Sequence, residues 1–308
     1  MAKTNTFGWA KNKNHMYSQI TSNKRQSVIL ITVFIIIIIG LGYVFDMAAN
    51  TGEFIGVFFA MGLSFFMTAI SYFQGDKIAL WSTGAKPIAK EDNAYVYRMV
   101  ENLCITSGLP TPKIYIINDP AINAFATGRK PELASIAVTT GAIEQLTNEE
   151  LEGVLAHEMS HVQNYDIRFM MLVAVLVGTI SILANIFLRS RWLPRRNDRA
   201  SGNAGAIFML IGIVLAILSP LVAELIKLAI SRRREYLADA SGSLLTRYPE
   251  ALAKALEKIA AQNQPMANAN NATAHMFFAN PFSGKKLSNL FSTHPPIEDR
   301  IKKLRGMA

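Results

Sequence analysis

Four apolar runs of membrane length set the terms for any fold of this 308-residue chain. They occupy residues 28–44, 54–73, 169–188 and 206–223, and the first contains five consecutive isoleucines, Ile35 to Ile39. A bilayer core about 30 Å thick takes roughly 20 helical residues, so each run is at or near the length of a crossing helix. The first two are joined by a short acidic turn with Asp46 and Glu53, and the spacing predicts two hairpins. The chain then divides into a basic leader (1–27), a transmembrane hairpin (28–74), a polar segment (75–168), a second hydrophobic hairpin (169–229) and a closing polar segment (230–308). A cleaved signal peptide is not expected, because the leader is long and no small-residue pair precedes a plausible cut.

Composition agrees with a membrane location. Hydrophobic residues make up 51% of the chain and the mean hydropathy is +0.23, too apolar for an ordinary soluble enzyme. The net charge of +9 comes from Lys and Arg beside the apolar runs, with no aromatic-interleaved basic patch, so the partner implied is a lipid bilayer and not a nucleic acid. Lys11, Lys13, Lys24 and Arg25 precede the first hairpin, and Lys77, Lys86 and Lys90 follow it. By the positive-inside rule both flanks are cytoplasmic, which puts residues 75–168 in the cytoplasm. Arg189, Arg191, Arg195, Arg196 and Arg199 between the third and fourth runs oppose a full crossing there, so the second hairpin is expected to be tilted or shallow. The single cysteine, Cys104, excludes an intramolecular disulfide, fits a reducing compartment and reads as core packing.

Chemistry concentrates at Ala156-His157-Glu158-Met159-Ser160-His161. Thr147 and Glu150 form a capping-box pattern that predicts a helix start, and on that helix His157 and His161 share a face one turn apart. Two imidazoles so placed can bind one tetrahedral metal, with Glu158 beside them as the base that deprotonates a water for attack on a peptide carbonyl. A metzincin-type third histidine is ruled out by Ile167. The third ligand must come from elsewhere: Glu235 is available with Asp239 on the same helical face, where Asp239 can orient a ligand histidine, and Glu224 is a weaker choice beside Lys227. Taken alone, Glu235 and Asp239 read more simply as balancing the charges of Arg232, Arg233 and Arg234 on a solvated face.

The surrounding segments predict an α+β, predominantly helical fold with a small antiparallel sheet. Residues 93–107 read as an amphipathic helix; 113–117, 122–127 and 135–140 as strands; 250–261 as a packing helix; 262–274 as a mobile loop; and 297–304 as a short closing helix. An edge strand next to the metal motif can hold an extended peptide by backbone hydrogen bonds. The third apolar run starts just after His161, which keeps the motif within roughly 12 Å of the membrane boundary. His15 and His275 carry no motif and are expected to be solvated.

Six elements in order, the first hairpin, Asn123-Ala124-Phe125-Ala126-Thr127-Gly128, the His157 motif, the second hairpin, Arg234-Glu235-Tyr236-Leu237-Ala238-Asp239, and Ser292-Thr293-His294-Pro295-Pro296, resemble the HtpX family of heat-shock membrane proteases, a group that also contains CAAX prenyl-protein endopeptidases. The resemblance implies a zincin-like (gluzincin) domain with one Zn2+ per chain on His157, His161 and Glu235, Glu158 as general base and Asp239 behind a ligand histidine. It also implies Asn123, Ala124 and Phe125 as the substrate edge, and His294 or Arg300 as groups that stabilise an oxyanion. The activity implied is endoproteolysis of unfolded or membrane proteins at the cytoplasmic face of the bacterial inner membrane, in stress response and quality control. Prenyl-peptide cleavage, which uses the same catalytic residues, and a metal-stabilised scaffold without activity are the alternatives; the oligomeric state is left open.

Overall fold

The computed structural model describes residues 6–49, 53–190, 214, 232–262, 264–269, 272–282 and 295–307. Helices α1 (Thr6–Ala49) and α2 (Ile55–Ser82) form the first hairpin, and within them Gln19–Met47 and Ile55–Ser82 are long and apolar enough to cross a membrane. The helix therefore extends through most of the leader, where the sequence suggested no element. The reason is visible on its buried seam, Asn23, Ser27, Leu30, Phe34 and Ile38, which continues the packed face of the apolar run at three- and four-residue steps.

Helix α2 is two-faced in size. Its buried side is made of Gly56, Ala60, Ser64, Ser71, Gly75 and Ala79, whereas Phe58, Phe59, Phe65, Phe66 and Phe73 point outward. Small residues let helices in lipid approach closely, and the aromatics are left for the hydrocarbon. At the tightest point a Cβ on Gly42 would lie 2.5 Å from the Gly56 carbonyl oxygen. The hairpin is closed by Asp46, whose two carboxylate oxygens accept from the backbone N–H groups of Gly56 and Val57 at 2.8 and 2.9 Å, capping the start of α2.

The polar segment builds a four-stranded sheet from β1 (Lys86–Pro87), β2 (Lys113–Ile117), β3 (Ala124–Thr127) and β4 (Ser135–Thr139), in the order β1-β2-β4-β3. The sheet is mixed and not the antiparallel one expected, because β2 and β4 pair in parallel while β3–β4 and β1–β2 are antiparallel. The chain leaves β2, passes to the far side to make β3, and returns by the turn at Gly128 and Pro131 to place β4 in the middle. All five β4 residues are buried.

Helix α3 (Ala94–Ser107), capped by the Asn93 side chain, packs its Val96, Val100, Leu103 and Cys104 face into the main core. Around it lie α4 (Thr140–Gln145), α5 (Asn148–Gln163), α6 (Asp166–Ser190), α7 (Arg232–Thr246), α8 (Pro249–Gln262) and α9 (Ile297–Arg305). The first half of α6 buries Phe169, Met171, Leu172 and Leu176 against Leu30, Phe34 and Ile38 of α1 and Ala60 of α2. The hairpin thus touches the element that directly follows the metal motif. The fourth apolar run apart from residue 214, the connector from residue 191 onward, Glu224 and His294 lie outside the described residues.

Gly42→Leu should force α1 and α2 apart and destabilise the hairpin by about 1–3 kcal/mol, the usual cost of overpacking. Gly40→Leu, at a position with nothing within 4 Å, should leave it unchanged; thermal unfolding of the detergent-solubilised chain distinguishes the two.

Candidate active site

Helix α5 starts as the capping box predicts: Glu150 N–H donates to the Thr147 hydroxyl, and the Glu150 carboxylate accepts from Thr147 N–H at 2.8 Å. From that start His157, Glu158 and His161 fall on the buried side of α5. Helix α7 crosses them closely because Gly242 has no side chain: a Cβ there would meet the His157 nitrogen at 2.8 Å. On the same face, one and two turns earlier, stand Asp239 and Glu235.

The result is a three-ligand cluster. His157, His161 and Glu235 each offer one ligand atom, all within 4.8 Å of one another. The two Nε2 atoms are 3.2 Å apart, and Glu235 oxygens lie 3.8 Å from His157 Nε2 and 3.7 Å from His161 Nε2. Ligands at zinc-type bond lengths sit about 3.4 Å apart at the corners of a tetrahedron, so the donor set fits a small divalent ion with a corner to spare. Glu158 Oε2 is buried with no hydrogen-bond partner among the described residues, as a base awaiting a water would be.

Each histidine is oriented from behind. His157 Nδ1 donates to Asp239 at 2.9 Å, and His161 Nδ1 donates to Asp166 at 2.9 Å, which turns both Nε2 atoms toward Glu235. The first contact sets Asp239 behind His157. The second was missed: Asp166 stands five residues past His161 at the start of the next helix, and a carboxylate just beyond the motif was the signal that could have found it.

The local field suits a cation. His161 is raised to about 9, because the burial that would lower it is outweighed by Asp166, Glu235 and Glu158. His157 is lowered to about 4 by burial, against the pull of Asp239, with Arg300 and His161 adding to the drop. Burial, aided by Glu235, pushes Glu158 up to about 7, while His161, the Ala126 backbone and Arg300 pull the other way. Asp239 is held at about 2: burial raises it, and Arg300 with His157 more than compensates.

Arg300 does not have the free guanidinium expected of an oxyanion donor. It is 1% exposed, with Nε and Nη2 donating to the two Asp239 oxygens at 2.9 and 2.7 Å and Nη1 donating to the Phe278 carbonyl at 3.3 Å. Its fork is taken up in holding Asp239, although Nη1 also comes within 3.9 Å of Glu235.

Nor is the substrate edge open. Asn123, Ala124 and Phe125 are buried. The Asn123 carbonyl accepts from Thr139 on β4, so the Ala124 carbonyl turns outward, and there Phe278 N–H donates to it at 2.8 Å. The Asn123 amide donates to the Ala279 carbonyl and accepts from the Ala279 N–H, at 3.0 and 3.1 Å. Phe277 packs edge-on against Phe125, and Phe278 against the His157 ring. An uncovered strand edge is a pairing liability, and residues 276–279 cover this one. His275, expected to be solvated, is buried, with its Nε2 3.0 Å from the Met170 carbonyl.

Two helices long and apolar enough to cross a membrane, a mostly helical domain and a three-ligand cluster beside a buried glutamate are the parts that a membrane-anchored metallopeptidase requires. The sequence pattern of Peptidase family M48 matches residues 90–308. The chain is 45% identical to the Protease HtpX homolog of Caldanaerobacter subterraneus subsp. tengcongensis over 299 residues, 96% of this chain and 99% of that one. It is also 45% identical to the Protease HtpX homolog of Dictyoglomus thermophilum over 291 residues, 94% of each. The crystal structure of S. mikatae Ste24p has a similar fold, with a TM-score of 0.51 at 18% identity, covering 86% of this chain and 62% of that chain. The chain belongs to peptidase family M48.

Arg300→Met should destabilise the domain by about 3–5 kcal/mol, because it strands the buried Asp239 carboxylate. Arg300→Lys should recover part of that loss; denaturant unfolding in detergent measures both.

Proposed function

We propose that the chain is a zinc-dependent membrane endopeptidase that hydrolyses peptide bonds of misfolded or membrane-embedded proteins on the cytoplasmic side of the bacterial inner membrane, in quality control under stress. The observation that carries this reading is the convergence of His157, His161 and Glu235 beside the unpartnered Glu158 oxygen. The cytoplasmic side is supported by the basic residues flanking the first hairpin. Proteolysis is supported by the family and by the printed names of the similar proteins.

When bound, a zinc ion supplies Lewis acidity, which acidifies water and polarises a scissile carbonyl. The chain supplies the rest. His157, His161 and Glu235 would hold the ion. Glu158 takes the proton of the attacking water at its free oxygen and returns it to the amide nitrogen as the C–N bond breaks. Asp239, fixed by Arg300, keeps the Nδ1 proton of His157 in place, so that its Nε2 lone pair stays directed at the ion. Asp166 does the same for His161. An extended peptide added to the outer edge of β3 would compete with Phe278 for the Ala124 carbonyl. His294, proposed from the family resemblance as a further group at the oxyanion, awaits its own substitution.

In detergent, Glu158→Gln should keep about one zinc per chain and cut casein cleavage by about 10²–10⁴-fold, the usual contribution of a positioned general base. Glu235→Ala should lose the zinc. Cleavage by Glu158→Gln at the wild-type rate would remove Glu158 from the chemistry, and zinc bound by wild type without any cleavage would favour a structural metal.

A further inference from the structure

We propose that Asn23, on transmembrane helix α1, is a positioning residue for His161, acting through Asp166, so that retention of the metal depends on the seating of the membrane helix. The proposal rests on the reading of His161 as a metal ligand.

The observation is a continuous buried polar path between two parts of the chain 138 residues apart, from position 23 to position 161. Asn23 is 2% exposed although its sequence neighbours are Ser22, Lys24, Arg25 and Gln26, in the part of α1 that precedes the apolar run 28–44. Its amide donates to Asp166 Oδ1 and, at 2.9 Å, to the Asn164 carbonyl that closes α5. The other Asp166 oxygen accepts from His161 Nδ1 at 2.9 Å. Asp166 is thus shared by the membrane helix on one oxygen and the metal ligand on the other.

Arg234 reinforces the same joint. Its Nε lies 3.3 Å from Asp166 Oδ1 and its Nη2 donates to Gln26, one turn along α1 from Asn23, at 3.2 Å. Arg234 directly precedes Glu235, so the backbone that presents the third ligand is held by the same helix.

Physical costs explain why such a path is informative. A buried amide costs about 1–3 kcal/mol if its partners are removed, so one that is fully paired fixes the groups it bonds. Here the partners are the C-cap of the motif helix and the carboxylate that sets the imidazole of His161. Removing a group behind a metal-bound histidine typically costs 10–100-fold in metal affinity. Because coupling is reciprocal, the metal should in turn steady α1 around Asn23.

The test uses the full chain in detergent, loaded with zinc, and follows release of zinc to excess chelator. Asn23→Leu and Asp166→Ala should each release zinc about 10-fold faster than wild type or more, and the double variant should be no faster than Asp166→Ala, because the proposed route from Asn23 to His161 runs through Asp166. Ser27→Ala, which removes only a hydroxyl bonded back to the Asn23 carbonyl, should release zinc at the wild-type rate. In a second arm that needs no variant, hydrogen exchange of wild type should show amides around residues 20–30 better protected with zinc than after chelation. Wild-type zinc release by Asn23→Leu, additive effects in the double variant, or identical exchange with and without zinc would each overturn the proposal. Glu235→Ala is run alongside: if it holds zinc as wild type does, the metal reading itself has failed, a different result from failure of the α1 link.

Discussion

The centre depends on one arrangement used twice: a buried carboxylate that holds the Nδ1 proton of an imidazole and so aims its Nε2. Asp239 does this for His157 and Asp166 for His161, both at 2.9 Å. A buried carboxylate is tolerable only when paired, and each has its cation, Arg300 for Asp239 and Arg234 for Asp166. Arg300 ties α9 to α7 and Arg234 ties α7 to the start of α6, so satisfying two carboxylates joins these helices around the motif helix. The same bonds that aim the ligands close the domain.

This explains which parts were legible in the sequence. Relations carried by local spacing could be read directly: the capping box at Thr147 and Glu150, His157 above His161, and Asp239 one turn beyond Glu235. Relations between distant segments could not. Nothing near Asn23 marks a polar residue that belongs to a metal site, since its partners lie more than 140 positions away. Arg300 was noticed by its place after His294, but its role follows from an orientation that only the packed structure fixes, with its fork turned onto Asp239 instead of outward.

The sheet makes the same point. Three β-rich runs separated by turns suggest a meander, because sequential strands usually pair with their neighbours. Here β2 passes over its successor and pairs in parallel with β4, leaving β3 outermost. Alternation of residues along a strand is the same in either direction, so the sequence pattern carries no information on which neighbour is chosen. What it does carry is burial: Ala124-Phe125-Ala126-Thr127 has no polar face apart from Thr127, and all four residues are buried.

That full burial bears on how a peptide is received. An edge strand with one solvated face would show an alternating pattern, whereas β3 has side chains covered on both sides and an outer edge already engaged. Ala124 N–H is bonded to the Asn123 side chain and the Ala124 carbonyl to Phe278, and the Ala126 backbone faces Glu158. The residues that cover the edge also reach the ligands, since Phe278 lies against the ring of His157 and its carbonyl accepts from Arg300. Lifting residues 276–279 would therefore uncover the strand and at the same time loosen the hydrogen bonds behind His157. Peptide access along β3 and the geometry of the metal ligands are in consequence not independent: both pass through Phe278, and through it to Arg300 and Asp239.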